Sequence, residues 1–152
     1  MAAPKDKRNE ALRQRTRARR RALQALYQWQ MAGQDLSAIE AQFNDEMDMG
    51  QVDVELFKQL LHGVPTQLNL IDEQLSPFLD RPINELDPIE RAVLRMGTYE
   101  LNERLEVPLR VVINEAVELA KQFGAEQSHR YVNGVLDKVA RQNPFRAAEL
   151  KK

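Results

Sequence analysis

The chain has 152 residues, of which 43% are hydrophobic and 30% are charged, and its formal net charge is −1. This length suits one domain or two small lobes that share a core. Because the sequence contains no cysteine, disulfide bonds, zinc–thiolate sites and cysteine nucleophiles are excluded.

No stretch is apolar over the length needed to span a bilayer, and the N-terminus lacks the apolar segment of a secretory signal. A mitochondrial transit peptide is also arginine-rich, but such peptides are rich in Ser and poor in acids. Here the first Ser is Ser37, and two acids precede it in the basic segment. We therefore expect a cytoplasmic protein with no membrane association.

The positive charge is concentrated at the start of the chain. Nine of the first 21 residues are Lys or Arg against two acids, whereas the remainder holds 13 basic and 21 acidic residues. Residues 1–14 mix Pro, Lys, Asp and Asn with little apolar content, which predicts a disordered basic tail. From about Arg17 to Gly33, apolar residues recur with the helical period.

The next elements are also predicted to be helical. Ser37 has the position of an N-cap for a short second helix, and residues 45–50 have the composition of a loop. Asp53 opens a longer helix that Gly63 and Pro65 should kink or break. Ser76 and Pro77 end this run and start a connector.

The segment Asp87-Pro88-Ile89-Glu90 is the sharpest helix start in the sequence, because each residue type suits its position. The predicted helices are one from Asp87 through about Glu103, one from Pro108 to Gly124, and one from about Glu126 to Arg141. No stretch alternates as a strand does. The sequence thus predicts an all-α fold of about six to seven helices in two small subdomains, at about 15–77 and 78–152.

The sequence gives little sign of catalysis. His62 and His129 are far apart, no spacing suggests a metal site, and no Gly-rich loop is present to hold a nucleotide. We therefore expect no enzyme activity, no metal and no cofactor. The helical segment around Asn133-Gly134 is unusual, because Gly destabilises a helix by about 1 kcal/mol relative to Ala. We interpret this pair as a site of close helix packing.

The arginine block favours a function in nucleic-acid binding. The basic segment contains more arginine than lysine. A planar guanidinium can form two hydrogen bonds to one phosphate and can stack on a base. Tyr27 and Trp29 follow closely, and an exposed aromatic beside arginine suits single-stranded RNA. Trp29 is expected in the core, whereas Tyr27 fits either core or surface. A solvated tail without a ligand is the alternative interpretation.

Four ordered segments resemble the NusB family of transcription antitermination factors. They are residues 19–29, 90–95, 112–121 and 123–126 with 131–136, so the resemblance covers roughly residues 15–140. It implies a compact helical fold of two subdomains and no catalysis. It also implies binding of the boxA RNA element together with the ribosomal protein NusE, in a complex that joins RNA polymerase and supports ribosomal RNA transcription.

The resemblance also implies functional residues. The expected RNA contacts are Arg15, Arg17, Arg19, Arg20, Tyr27, Gln127, Arg130 and Tyr131, and Glu90 is expected on the side that binds NusE. NusB-like domains also open some ribosomal RNA cytosine methyltransferases, but 152 residues without cysteine favour a free-standing factor. The alternative from another class is a scaffold or homodimer with a non-specific basic tail. Whether the free protein is a monomer or a homodimer stays open at this point.

Overall fold

The structure is a computed structural model that describes residues 4–150. Within this range the chain forms eight α-helices and three short 3₁₀ helices, and no strand occurs there. The predicted all-α class is therefore confirmed, with slightly more helices than expected. The α-helices are α1 (Pro4–Ala32), α2 (Leu36–Glu46), α3 (Val54–Thr66), α4 (Leu68–Leu75), α5 (Pro88–Glu103), α6 (Leu109–Phe123), α7 (Ser128–Gln142) and α8 (Ala147–Leu150). The 3₁₀ helices span Ser76–Phe78, Ile83–Glu85 and Pro144–Arg146.

The chain divides into two compact units, Met1–Gly63 and Val64–Lys152, which we call the N-terminal and C-terminal units. The division falls inside α3, earlier in the chain than the subdomain boundary predicted near residue 77. The reason is that α4 packs on α5. Arg95 on α5 donates two hydrogen bonds of 3.0 Å to the Asp72 carboxylate on α4, so α4 belongs with the helices that follow it.

Helix α1 is longer than the sequence predicts. Residues 4–14 are helical, where we expected a disordered tail, and residues 1–3 lie outside the described part. Pro4 is the first residue of α1 in the described range. Glu10 then accepts hydrogen bonds of 3.1 and 2.8 Å from Arg13, one turn further on. Such i, i+3 pairs of opposite charge stabilise a helix surface.

The helix ends in the N-terminal unit follow their capping residues. Gly33 adopts a φ of +63° at the end of α1, as a helix-terminating glycine does. Asp35, not the predicted Ser37, caps α2, because its carboxylate accepts a hydrogen bond of 3.3 Å from the N–H of Ala38. Asp53 caps α3 as predicted. The core of this unit includes Phe43 and Phe57, whose rings stack with centroids 5.7 Å apart.

Helix α5 is the central helix of the C-terminal unit. Every residue from Ala92 to Leu101 is buried, and the helix packs against α4, α6 and α7. The predicted cap is confirmed, because Asp87 accepts hydrogen bonds from the N–H groups of Ile89 and Glu90, at 2.9 and 3.2 Å. A helix that is contacted on three sides loses solvent access nearly all round, which explains this continuous burial.

Gly97, and not Gly134, marks the close helix approach in this unit. A Cβ atom added at Gly97 would lie 2.7 Å from Cδ1 of Leu136 on α7, whereas one added at Gly134 would have no atom of another described element within 4 Å. The packing role predicted for Asn133-Gly134 is therefore wrong for the described residues. Both residues lie on the exposed face of α7.

The segment after α7 holds a buried arginine that the sequence did not reveal. Arg146 is fully buried and donates hydrogen bonds to the carbonyl oxygens of Leu101 (3.0 Å), Val107 (2.6 Å), Glu100 (3.2 Å) and Arg104 (3.0 Å). Helix α5 ends at Glu103, and the last carbonyls of a helix have no partner within the helix. The guanidinium adds a donor to two carbonyl groups in the last turn of α5 and to two in the segment that follows it, and so fastens the segment after α7 to the end of α5.

Candidate nucleic-acid interface

The arginines of α1 from Arg15 to Arg21 fall into three groups according to what holds them. Arg17 donates to the carbonyl oxygen of Gln51 at 3.2 Å, and Arg21 donates to that of Asp48 at 3.4 Å, so the loop after α2 orients both. Arg15 and Arg20 have no hydrogen-bond or ion-pair partner among residues 4–150. The third group is Arg19, which is only 3% exposed.

This division changes the set of arginines that can reach a ligand. A guanidinium that is buried cannot meet a phosphate unless the helix surface rearranges, so we leave Arg19 out of the interface proposed below. Arg15 and Arg20 are partly exposed and keep all of their N–H donors free for an anion. Arg17, Arg20 and Arg21 also line a concavity of about 320 Å³ with Asp48 and Gln51.

Tyr27 lies on the same face of α1 as this concavity. It follows Arg20 by seven residues, which is two helical turns, and 38% of its surface is exposed. The structure thus assigns Tyr27 to the surface, one of the two positions that the sequence left open. An exposed ring two turns from partner-free arginine presents a stacking face beside a cation.

A second group of predicted residues lies at the start of α7, in the C-terminal unit. Gln127 and Arg130 are exposed and Tyr131 is half-buried. Gln127 has a φ of +71° and is the only residue other than glycine with a positive φ in the described range. Such a conformation is unfavourable for a side chain with a Cβ and persists where the surroundings hold it in place.

The turn that contains Gln127 is tight at Gly124, three residues earlier, and is anchored at Ser128, the next residue. A Cβ atom at Gly124 would lie 2.8 Å from the carbonyl oxygen of Ala120, so the chain turns too tightly there for any other residue. Ser128 is 5% exposed, and its hydroxyl donates a 2.6 Å hydrogen bond to the Glu90 carboxylate on α5. Glu90, predicted as a partner contact, therefore also fastens the start of α7.

Tyr131 is held by a loop that the sequence did not connect with it. Its hydroxyl accepts from the N–H of Asp80 and donates to Oδ1 of the same residue, both at 3.0 Å. Arg81 and then Tyr131 donate the hydrogen bonds that hold the pKa of Asp80 below its ordinary value. Burial is the main cause that raises the pKa of Tyr131. The ring is thus fixed in orientation, and its hydroxyl stays protonated.

Sequence reasoning missed Asp80 and Ser128 as positioning residues because their contacts bridge 51 and 38 residues. No local spacing signals such pairs.

In its geometry the described part of the protein is all-helical, and its first helix has a face that carries arginines and an exposed tyrosine. Among residues 4–150, no helix is long and apolar enough to cross a membrane.

Comparison with known proteins identifies the family. The sequence model of the NusB family matches residues 16–141. The chain is 56% identical to the transcription antitermination protein NusB of Alkalilimnicola ehrlichii, over 91% of this chain and 87% of the relative. It is 61% identical to the protein of the same name from Alcanivorax borkumensis, over 84% and 85% of the two chains.

A solved structure of T. maritima NusB has the same fold. It superposes with a TM-score of 0.72 at 32% sequence identity, and the match covers 84% of this chain and 91% of that one. The chain therefore belongs to the NusB family, as its motifs indicated.

Proposed function

We propose that this protein is a transcription antitermination factor that binds boxA RNA together with NusE and joins RNA polymerase in the cytoplasm, supporting transcription of ribosomal RNA. The curated relatives named above are transcription antitermination proteins. The observation that carries the RNA-binding part is the face of α1 on which Arg20 lacks a partner within residues 4–150 and Tyr27 is exposed two turns away.

The proposed RNA surface of the N-terminal unit uses each residue differently. Arg15 and Arg20 pair with phosphates, because no acid in the described part of the chain competes for them. Arg17 contributes charge while the carbonyl oxygen of Gln51 orients it. Tyr27 stacks on a base, which is tolerant of base identity since every base has a π-face.

The proposed surface of the C-terminal unit supplies further contacts at the start of α7. Arg130 neutralises a phosphate, and Tyr131 offers a ring whose orientation is fixed by Asp80. Gln127 presents its amide to the RNA from an exposed turn. Fixing side chains before binding reduces the entropy lost on association.

Glu90 links the proposed NusE surface to the proposed RNA surface. One carboxylate oxygen accepts from Ser128, which lies two residues before Arg130 in the first turn of α7. A partner that binds the same carboxylate therefore acts on the helix turn that carries the RNA contacts. Coupling of this kind is reciprocal, so NusE and RNA should strengthen each other's binding by one common factor.

The test is a fluorescence titration of boxA RNA and of a scrambled RNA, with and without NusE, at several salt concentrations. We expect a preference for boxA that increases when NusE is added. The logarithm of affinity should fall with the logarithm of salt concentration with a slope of about −0.7 for each phosphate neutralised. Replacing Tyr27 with Ala should weaken RNA binding by about 1–3 kcal/mol.

The matched control is Arg141→Ala, which removes an exposed arginine that is already tied to Asp137. It should leave both the affinity for boxA and the salt dependence unchanged. Equal, salt-sensitive binding to both RNAs without any effect of NusE would contradict the proposal. That result would favour a scaffold or homodimer with a non-specific basic helix.

A further inference from the structure

The C-terminal unit contains a groove between α6 and α7 that the proposed RNA and NusE contacts do not use. Its volume is about 530 Å³, within the range of ligand sites. We call it the α6–α7 groove and define it by Leu109, Ile113 and Leu150, which are apolar, and by Arg110, Asn114 and Asn133, which are polar. Asp137, which also lines it, lies nine residues after Ser128, roughly 14 Å along the axis of α7.

Most charged groups along the α6–α7 groove already have partners within the chain. Asp137 accepts from Arg141 at 3.0 Å. Glu149 accepts from the N–H of Leu109 and from Arg146, both at 2.8 Å. These contacts leave neither acid free to attract a cation.

Three polar side chains of the groove remain without partners in the part of the chain that the structure describes. They are Arg110 and Asn114 on α6 and Asn133 on α7, and all three are exposed. Each asparagine amide offers both a donor and an acceptor, whereas the guanidinium offers donors only. The free groups therefore match a ligand that has alternating donors and acceptors and at least one negative charge.

We propose that the α6–α7 groove binds an extended segment of a partner protein, one that carries an acidic side chain beside an apolar side chain. Asn114 and Asn133 bond the peptide N–H and C=O groups of the segment, and Arg110 pairs with its carboxylate. The apolar side chain of the segment packs on Leu109, Ile113 and Leu150. An extended backbone supplies donors and acceptors in alternation, which one asparagine on each helix can satisfy.

Charge favours a protein segment over RNA in this groove. Arg110 and Arg141 line it together with Asp137 and Glu149, so the lining carries no excess of positive charge. RNA binding depends on cations that neutralise successive phosphates, and this lining offers only one cation without an acid beside it. A single carboxylate on an otherwise neutral segment complements Arg110.

The open face at Gly134 supports the same inference. Glycine inside a helix is unfavourable relative to alanine, and among residues 4–150 no other element lies near enough to Gly134 to require it. Gly134 shares an exposed face of α7 with Asp137 and Arg141, at i, i+3 and i+7. The missing side chain lets another backbone approach α7 beside Asn133.

The test uses the full chain and two pools of capped eight-residue peptides. One pool combines Leu, Ile and Gly with Asp and Glu, and the other replaces both acids with Lys and Arg. Binding is followed by fluorescence anisotropy and by the NMR shifts of the Asn114 and Asn133 side-chain amides. We expect the acidic pool to move both amides and the basic pool to bind at least about fivefold more weakly.

Three variants sharpen this test. Arg110→Glu should reverse the preference between the pools, whereas Lys138→Glu, a matched change at an exposed cation of α7 outside the groove lining, should leave it unchanged. Asn133→Ala should weaken binding of the acidic pool about tenfold without lowering the melting temperature, since the side chain is exposed. None of these variants should alter the affinity for boxA RNA, which separates this inference from the proposed function.

Two results would overturn the inference. In one, the acidic pool leaves the asparagine amides unmoved, or the two pools bind equally. In the other, a single-stranded RNA moves the same amides and displaces the acidic pool, which would make the α6–α7 groove a nucleic-acid surface.

Discussion

Arginine serves opposite purposes in the two units of the molecule. In the N-terminal unit, Arg20 is partly exposed and has no partner within residues 4–150. In the C-terminal unit, Arg146 is fully buried and donates to four backbone carbonyl groups and to Glu149. The first arrangement keeps donors available for an external anion, and the second uses all of them to hold the fold.

The charge of an arginine therefore does not reveal its role. The planar guanidinium has five N–H donors, which match a phosphate and a set of helix-end carbonyls equally well. Which of these it meets depends on whether the chain brings carbonyl groups to it. Burial and hydrogen-bond partners therefore separate a binding arginine from a structural one, and mutations should separate them in the same way.

The largest effect is expected from Arg146→Ala. This change removes a fully buried side chain together with its hydrogen bonds to four carbonyl groups, so the free energy of unfolding should fall by about 3 kcal/mol or more. Urea unfolding measures the loss. In the control Arg141→Ala, an exposed ion pair with Asp137 is removed, and the change should stay within about 0.5 kcal/mol. Equal losses in both variants would contradict the structural role of Arg146.

The next largest effects are expected from Arg19 and Arg20, which are adjacent on α1 but differ in burial. Arg19→Ala removes a buried side chain and should lower the free energy of unfolding by about 2 kcal/mol, with the salt dependence of RNA binding unchanged. Arg20→Ala should do the opposite: the salt slope loses about 0.7 and stability stays within about 0.5 kcal/mol. Urea unfolding and salt titrations on both variants test this prediction. A loss of salt slope in Arg19→Ala would return that residue to the RNA surface.

Two glycines of the C-terminal unit also differ in their surroundings, because Gly97 is packed and Gly134 is open. Their substitution should change the free energy of unfolding less than the substitutions of the buried arginines do. Gly97→Ala places a methyl group against the buried Leu136 side chain, so the free energy of unfolding should fall by about 1–2 kcal/mol. Gly134→Ala adds a methyl group in open space within a helix and should raise it by about 1 kcal/mol. Opposite shifts of the melting temperature are the expected result. A loss in both variants would mean that Gly134 is packed after all.

The sequence was sufficient to predict the helical class, the cap at Asp87 and the breaks at Gly33 and Gly124, because these depend on local chemistry. Periodicity identifies which face of a helix is apolar, and capping depends on residues within one turn. The prediction of a disordered start rested on composition alone. It did not weigh the i, i+3 pair between Glu10 and Arg13.

The candidate interface was harder to predict, because it depends on contacts between distant residues. The motifs identified the basic helix and the start of α7, but not the burial of Arg19. Nor did they connect Ser128 with Glu90 or Tyr131 with Asp80, since those pairs form only when α5 and the preceding loop meet α7. Arg146 escaped for the same reason, because its partners lie about 40 residues earlier in the chain.

The smallest expected effect concerns Glu10, an acid on α1 that contacts Arg13 and Arg17 and so competes with RNA for them. Its carboxylate accepts from Arg13 at 2.8 Å and from Arg17 at 3.5 Å, and the hydrogen bond from Arg13 is the main cause that lowers the pKa of Glu10. Because the folded-state pKa is lowered, these pairs stabilise α1 above the unfolded-state pKa. They are lost as pH falls through the folded-state value, which releases Arg13 and leaves Arg17 only its hydrogen bond to the carbonyl oxygen of Gln51.

Glu10→Gln imitates this release at neutral pH. It should strengthen boxA binding slightly and slightly destabilise the start of α1, because a neutral amide holds the two guanidinium groups less firmly than a carboxylate. RNA titrations at pH 7 measure the first effect, and NMR titration of the Glu10 carboxyl in the unmodified protein checks the lowered pKa. Glu118→Gln on α6 removes a comparable exposed pair with Lys121 and should change neither quantity. If Glu10→Gln instead weakened RNA binding, the carboxylate would be positioning Arg13 and Arg17 for phosphates rather than competing for them.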